Sequence, residues 1–147
     1  MPLAERRAEA VWEGNLVKGN GRVKPATGAF AEVPVTWASR VERPDGKTSP
    51  EELIAMAHAS CYAMALSHTL AEAGSPPERL HVTATCQLES IPGGIKIATM
   101  NLEVRGRVPG IDQATFEEMA RKGERGCPVS NALRNNVQIN VRPTLER

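Results

Sequence analysis

Polar and apolar side chains alternate most regularly between His81 and Ser90, where Val82, Ala84, Cys86 and Leu88 fall on one face and His81, Thr83, Thr85, Gln87 and Glu89 on the other. A period of two residues is that of a strand with one wet and one dry face. Pro92, Gly93 and Gly94 interrupt the run, and Ile95 to Val108 resumes it with Ala98, Met100, Leu102 and Val104 inward, so a hairpin is predicted. The same alternation closes the chain at Val137, Ile139 and Val141. Near the start, Ala8 to Val23 reads as a further hairpin, broken at Glu13, Gly14 and Asn15 with a second soft spot at Gly19 to Gly21. Phe30 to Trp37 reads as a strand, and Pro34, which donates no backbone hydrogen bond, assigns it to a sheet edge.

Between these strand regions the period changes. In Ser49-Pro50-Glu51-Glu52 the serine suits the N-cap, the proline the first helical position and Glu52 the third, which together predict a helix with a capping box. Gly74, Pro76 and Pro77 end it near residue 73. Residues 53 to 71 carry no Asp, Glu, Lys or Arg, yet their two His, two Ser, Thr and many Ala make the stretch too polar to span a membrane. A buried helix that needs cover on most of its circumference is expected instead. Residues 112 to 122 predict a second helix, capped by Asp112, stopped by Gly123 and apolar at Phe116, Met119 and Ala120. Pro128 to Arg134 predicts a short third one. The order is three strands, long helix, hairpin, helix pair and strand, an α+β fold in a single domain over residues 1–147.

The charge balance narrows the partners. With 18 Lys plus Arg against 17 Asp plus Glu, the net charge of +1 gives no electrostatic reason to expect nucleic acid or membrane lipid. Aromatic residues make up only 3% of the chain, so the core is built from small side chains that bury little area each, and added burial by oligomerisation is expected. The start, MPLAERRAEAVWEG, has no apolar leader, which suggests a reducing cytoplasm.

No phosphate-binding glycine loop, GxSxG elbow or CxxC pair occurs, so candidate chemistry rests on the three cysteines. Cys86 lies on the apolar face of its strand and reads as a small buried hydrophobe. Cys61, in AHASCYAMALS, reads on composition as a packed core residue. Cys127, in GERGCPVSNAL, precedes a helix start and has Lys122 and Arg125 nearby, so local physics makes it the more acidic thiol. Two other readings stay open at this level. His58 and Cys61, three apart on one helix, with Cys127 or His68, have the residue types of a zinc site. Alternatively the chain is a non-enzymatic dimeric scaffold, with both cysteines in its core and Arg40 and Glu51 a solvated surface pair.

The string SPEELIAMAHASCYAMAL at 49–66, followed by CPVSNAL at 127–133, resembles the OsmC/Ohr family of bacterial thiol peroxidases. Weaker echoes include AVWEGNLVKGNGRV and the Ser39-Arg40-Val41 step, and His58 with the MALS run at 64–67 resembles the OsmC branch more than the Ohr branch. The resemblance implies an intertwined homodimer in which a long buried central helix is wrapped by antiparallel sheets. It implies a peroxidase that reduces organic hydroperoxides to alcohols, with Cys61 attacking and Cys127 resolving. Arg40 and Glu51 match the pair that activates the attacking thiol. The product, a Cys61 sulfenic acid, would condense to a Cys61–Cys127 disulfide, to be reduced by an external dithiol such as a lipoylated protein. No cofactor, metal, nucleic acid or membrane enters this scheme.

Physics gives each part of that scheme a reason. A mid-helix thiol loses solvation, which raises its pKa, so a guanidinium is needed to favour the thiolate, with Glu51 fixing the guanidinium plane. Ile54, Met56 and Met64 supply charge-free walls for an organic tail. Glu51 and Cys61 are ten residues apart, about 15 Å along a helix and roughly 80° around it, so they cannot meet on one straight helix. Either the helix breaks between Pro50 and Cys61 or Glu51 serves the Cys61 of a partner chain; the run without Gly or Pro favours the second, and which chain supplies Arg40 stays open.

Overall fold

A computed structural model describes all residues, Met1–Arg147. The chain forms two compact units, Met1–Leu53 and Ile54–Arg147.

The N-terminal unit is built on an antiparallel sheet of β1 (Ala8–Glu13), β2 (Asn20–Pro25) and β3 (Val33–Val35), in that order. The predicted hairpin is present, with Trp12 paired to Gly21. The predicted third strand is shorter than its pattern, since Phe30 is exposed in a turn and Thr36 already begins a helix. Pro34 sits on the sheet edge, where its missing donor leaves no gap in a ladder. The sequence reading missed α1 (Trp37–Val41). Thr36 caps it by accepting from the Ser39 amide at 3.0 Å while Ser39 Oγ accepts from the Thr36 amide at 2.9 Å. This is a capping box with serine in place of the usual Glu or Gln, which explains why the template passed it over. Ser39 Oγ also donates to the Thr48 carbonyl at 3.0 Å, pinning the following loop.

Helix α2 (Pro50–Glu72) begins where predicted, with the Glu52 amide donating to Ser49 Oγ at 3.1 Å. The return half of the box is replaced: the Glu52 carboxylate accepts from the Thr48 hydroxyl at 2.6 Å.

In the C-terminal unit α2 buries one stripe, with His58, Tyr62, Leu66 and Leu70 all at 0% exposure and spaced by four residues. Met56 and Met64 stand 55% and 68% exposed. Within the single chain, the cover expected over most of the circumference reaches this stripe only. The stripe shares its core with Met100, Leu102, Val104, Phe116 and Ala120, and the remaining face has no such cover. Full burial of a leucine such as Leu66 is worth about 1.5–3 kcal/mol.

Strands β4 (Arg79–Ile91) and β5 (Gly94–Arg107) form the predicted hairpin, and β6 (Gln138–Leu145) joins the far edge of β5. That last pairing is parallel, so this sheet is mixed and not antiparallel as expected. The connection from β5 to β6 passes through α3 (Gln113–Arg125) and α4 (Pro128–Leu133), and such a crossover brings the chain back in the same direction. A bulge sets Gln87 opposite Thr99 but Leu88 opposite Ile97. It leaves Ala98 as the extra residue, and Ile97 takes the inward place predicted for Ala98.

Asp112 caps α3 by accepting from the Thr115 amide at 2.8 Å. Gly123 does not stop the helix, which runs to Arg125 with Gly126 as its cap. A Cβ at 123 would lie 3.0 Å from Leu66 Cα, so the missing side chain lets α3 ride on the α2 backbone. Gly106 does the same for the Phe116 ring, 2.5 Å from where its Cβ would be.

Candidate active site

The four residues singled out from the sequence fall into two pairs. Arg40 and Glu51 meet in the N-terminal unit, and Cys61 and Cys127 meet in the C-terminal unit.

Arg40 projects from the last turn of α1 and Glu51 from the first turn of α2. Arg40 Nε donates to Glu51 Oε1 at 3.0 Å and to Oε2 at 3.2 Å, and Nη2 donates to Oε2 at 2.9 Å. The fork matches the planar carboxylate, and a negative charge in the first turn of a helix is further favoured by the helix dipole. The Glu51 side chain is 8% exposed and that of Arg40 29%, so the carboxylate is buried and the guanidinium keeps a free edge. This is not the solvated surface pair of the scaffold reading. Beside it lies an apolar cavity of about 500 Å³, walled by Trp12, Leu16, Val35, Trp37 and Leu53, with Arg40 on its rim.

Cys61 sits mid-helix on α2 and Cys127 is the N-cap of α4, its Sγ accepting from the Ser130 amide at 3.5 Å. The two thiols are neighbours on one core, Cys127 within it and Cys61 packed against it. Burial pushes the Cys61 thiol up, the Val129 amide pulls it partly back by donating to the sulfur, and the adjacent Cys127 adds to the rise. The sequence placed Cys127 at a helix start, as observed, yet its side chain is fully buried while Lys122 and Arg125 are exposed. Cys86 lies on the inward face of β4, packed against the core, as predicted. Met56 and Met64, expected to wall the Cys61 site, are exposed within the single chain, whereas Ile54 packs on the core.

Several polar groups are buried in the same core. His58 Nε2 lies 2.7 Å from Ser130 Oγ, while His58 Nδ1 is buried without a partner. Burial lowers the His58 pKa, with Glu124 acting in the opposite direction. A buried polar nitrogen left unpaired costs about 1–3 kcal/mol. Glu124 is paired to Arg134 at 3.1 Å, and the Tyr62 hydroxyl donates to the Ala120 carbonyl at 2.9 Å. Burial raises the Tyr62 pKa, which keeps the phenol protonated. Ser130 was missed from the sequence. Its signal is the spacing Cys127-Pro-Val-Ser130, an N-cap with its N3 residue, in which cysteine stands where Ser, Thr or Asp is usual. His58 engages Ser130, and no group of three or more His, Cys, Asp or Glu is disposed to hold a metal ion, which leaves the zinc reading without a ligand set. No helix is long and apolar enough to cross a membrane.

The family model for OsmC-like protein matches residues 43–142. Peroxiredoxin OsmC of Escherichia coli strain K12 is 38% identical over 134 residues, covering 91% of this chain and 93% of that protein. An organic hydroperoxide resistance protein of Xanthomonas axonopodis pv. citri is 32% identical over 95 residues, or 64% of this chain and 65% of that one. Among solved structures, an organic hydroperoxide resistance protein OsmC from Legionella pneumophila superposes with a TM-score of 0.76 at 25% identity, covering 98% of this chain and 99% of that one. OhrB of Bacillus subtilis shares the fold at a TM-score of 0.72 and 22% identity, covering 95% of this chain and 98% of its own. The chain belongs to the OsmC/Ohr family, on its OsmC branch.

Proposed function

We propose that this chain is a peroxidase that reduces organic hydroperoxides to alcohols, with Cys61 as the attacking thiol and Cys127 as the resolving one. The observation that carries the reading is the pair of neighbouring thiols at one core, Cys127 buried within it and Cys61 packed against it. The names of the relatives, peroxiredoxin OsmC and organic hydroperoxide resistance protein, support the peroxide class.

In the first step the Cys61 sulfur attacks the terminal peroxide oxygen. The O–O bond breaks, the alkoxide takes a proton and leaves as alcohol, and sulfur becomes a sulfenic acid. In the second step the Cys127 sulfur displaces that hydroxyl, releasing water and forming the disulfide. An external dithiol, a lipoylated protein among the candidates, then returns both thiols and is itself oxidised.

Arg40 and Glu51 supply what a buried thiol lacks. The guanidinium stabilises the Cys61 thiolate and polarises the peroxide, and Glu51 holds its plane through the fork. Because α2 has no Gly or Pro between Glu51 and Cys61, the ten-residue spacing favours service in trans: the pair from one protomer acts on Cys61 of its partner in an intertwined homodimer. Residues 1–147 then work as a single OsmC-like domain, in a cytoplasm where thiols stay reduced. The apolar cavity on whose rim Arg40 lies suits an organic tail, with the peroxide oxygens at the guanidinium.

Peptide mass spectrometry after one equivalent of cumene hydroperoxide tests the reading. Wild type is expected to yield the Cys61–Cys127 disulfide. Cys127→Ser is expected to react once and stall with sulfenic or sulfinic acid at Cys61. Cys61→Ser loses turnover and Cys86→Ser keeps most of it. Peroxidase activity near wild type in Cys61→Ser would refute the assignment.

A further inference from the structure

We propose that His58 is a positioning residue for the disulfide-forming step: through Ser130 it holds the first turn of α4, whose amides address both sulfurs. The inference rests on the assignment of Cys61 as attacking and Cys127 as resolving thiol.

Two successive amides at the start of α4 meet the two thiols. Ser130 N–H donates to Cys127 Sγ at 3.5 Å, and the preceding amide, of Val129, lies close enough to Cys61 to lower the pKa of its thiol. The turn is therefore a frame that sets how one sulfur faces the other. Alone, a helix of six residues is a weak frame, since so short a segment does not hold its own geometry. It needs an anchor on the element that carries Cys61. His58 fits that description: it lies three residues before Cys61 on α2, so both project from the same side of the helix. Its Nε2 is 2.7 Å from the hydroxyl of Ser130, 72 residues away in sequence. Both side chains are at 0% exposure.

The unpartnered Nδ1 argues that this histidine is more than filling. An apolar side chain of similar size would occupy the space without stranding a polar nitrogen, but it would not direct Ser130. In the step concerned, Cys61–SOH and Cys127–SH give Cys61–S–S–Cys127 and water; the Cys127 proton leaves with the hydroxyl, and no outside electron donor takes part. His58 gains and loses nothing in that balance. It controls how often the Cys127 sulfur lies in line with the S–O bond.

Rapid quench of the full-length protein with one equivalent of cumene hydroperoxide, read by mass spectrometry for sulfenic, disulfide and sulfinic states, separates the two steps. His58→Leu and Ser130→Ala are expected to slow peroxide consumption less than disulfide closure, since the same turn carries the Val129 amide beside Cys61. Both should close the disulfide about tenfold more slowly, as for the loss of one well-aimed hydrogen bond, with sulfinic acid building up at Cys61. His58→Gln, whose amide reaches the same hydroxyl, should recover most of the closing rate. Closure at the wild-type rate in Ser130→Ala, which keeps the α2 core intact, overturns the proposal even if His58→Leu does not fold. So does a parallel fall of peroxide consumption and disulfide closure in every variant. A wild-type protein that forms no Cys61–Cys127 disulfide would instead overturn the reading on which the inference rests.

Discussion

The N-terminal unit holds a buried charge pair and no cysteine, whereas the C-terminal unit holds all three cysteines and meets Cys61 with a backbone amide and a second thiol. Each arrangement is stable for its own reason. Glu51 tolerates burial because three hydrogen bonds from one guanidinium satisfy it, and Cys61, partly buried, has its pKa raised by desolvation, which favours the neutral thiol. A guanidinium sealed permanently against an unreacted thiol would have to be desolvated for a weak partner. Under the proposed mechanism the division separates activation from nucleophile along this chain, and neither part is sufficient.

Three experiments break or sharpen that contrast. The largest effect is expected from subunit mixing: under the proposed mechanism Glu51→Ala and Cys61→Ser should each be inactive alone, and their co-expressed heterodimer should regain peroxidase activity because one composite site is intact. Heterodimers as inactive as either parent would show that both parts must lie on the same chain. Next comes Arg40→Gln. Burial already raises the Cys61 pKa, so alkylation by iodoacetamide increases as pH climbs through that value and the thiolate forms. Without the guanidinium the whole profile should move to higher pH, with alkylation at neutral pH about tenfold slower. An unmoved profile would place thiol activation within the cysteine-bearing unit. The smallest effect concerns charge exclusion around His58. Its folded pKa lies below the ordinary value of 6.5, so the unfolded chain takes up the proton first as pH falls. Stability associated with neutral His58 is complete above about 6.5 and declines as pH drops below it. Urea midpoints from pH 7 to pH 5 should therefore fall less in His58→Gln than in wild type. Equal slopes would mean that this core accepts the imidazolium.

How much of this was legible in sequence depended on whether a residue's role is local. Ser49-Pro50 announced α2, and the alternation from His81 onward announced β4 and β5, because capping and period are written in neighbours. The pairings of Cys61 with Cys127 and of Arg40 with Glu51 came through as resemblance, since nothing near Cys61 marks it as more than a core thiol. Ser130 and the Nε2 contact of His58 join residues far apart in sequence, and α1 hid behind a serine in a position where templates expect Glu or Gln. Gly123 misled for the same reason. As a local signal it ends a helix, and only the path of α2 beside it explains why the helix continues.

That glycine also has a mechanical side. From Gly123, α3 leads in four residues to Cys127, and the α2 backbone it rests on lies five residues beyond Cys61. The hydrogen atom at its Cα is thus a shim between two arms, each ending in one sulfur. A disulfide accepts only a limited Cα separation, about 4.4–6.8 Å, so a thicker shim translates into a gap at the far end of both arms. Under the proposed mechanism, whether the two thiols can lock together is therefore set partly by a side chain that is not there.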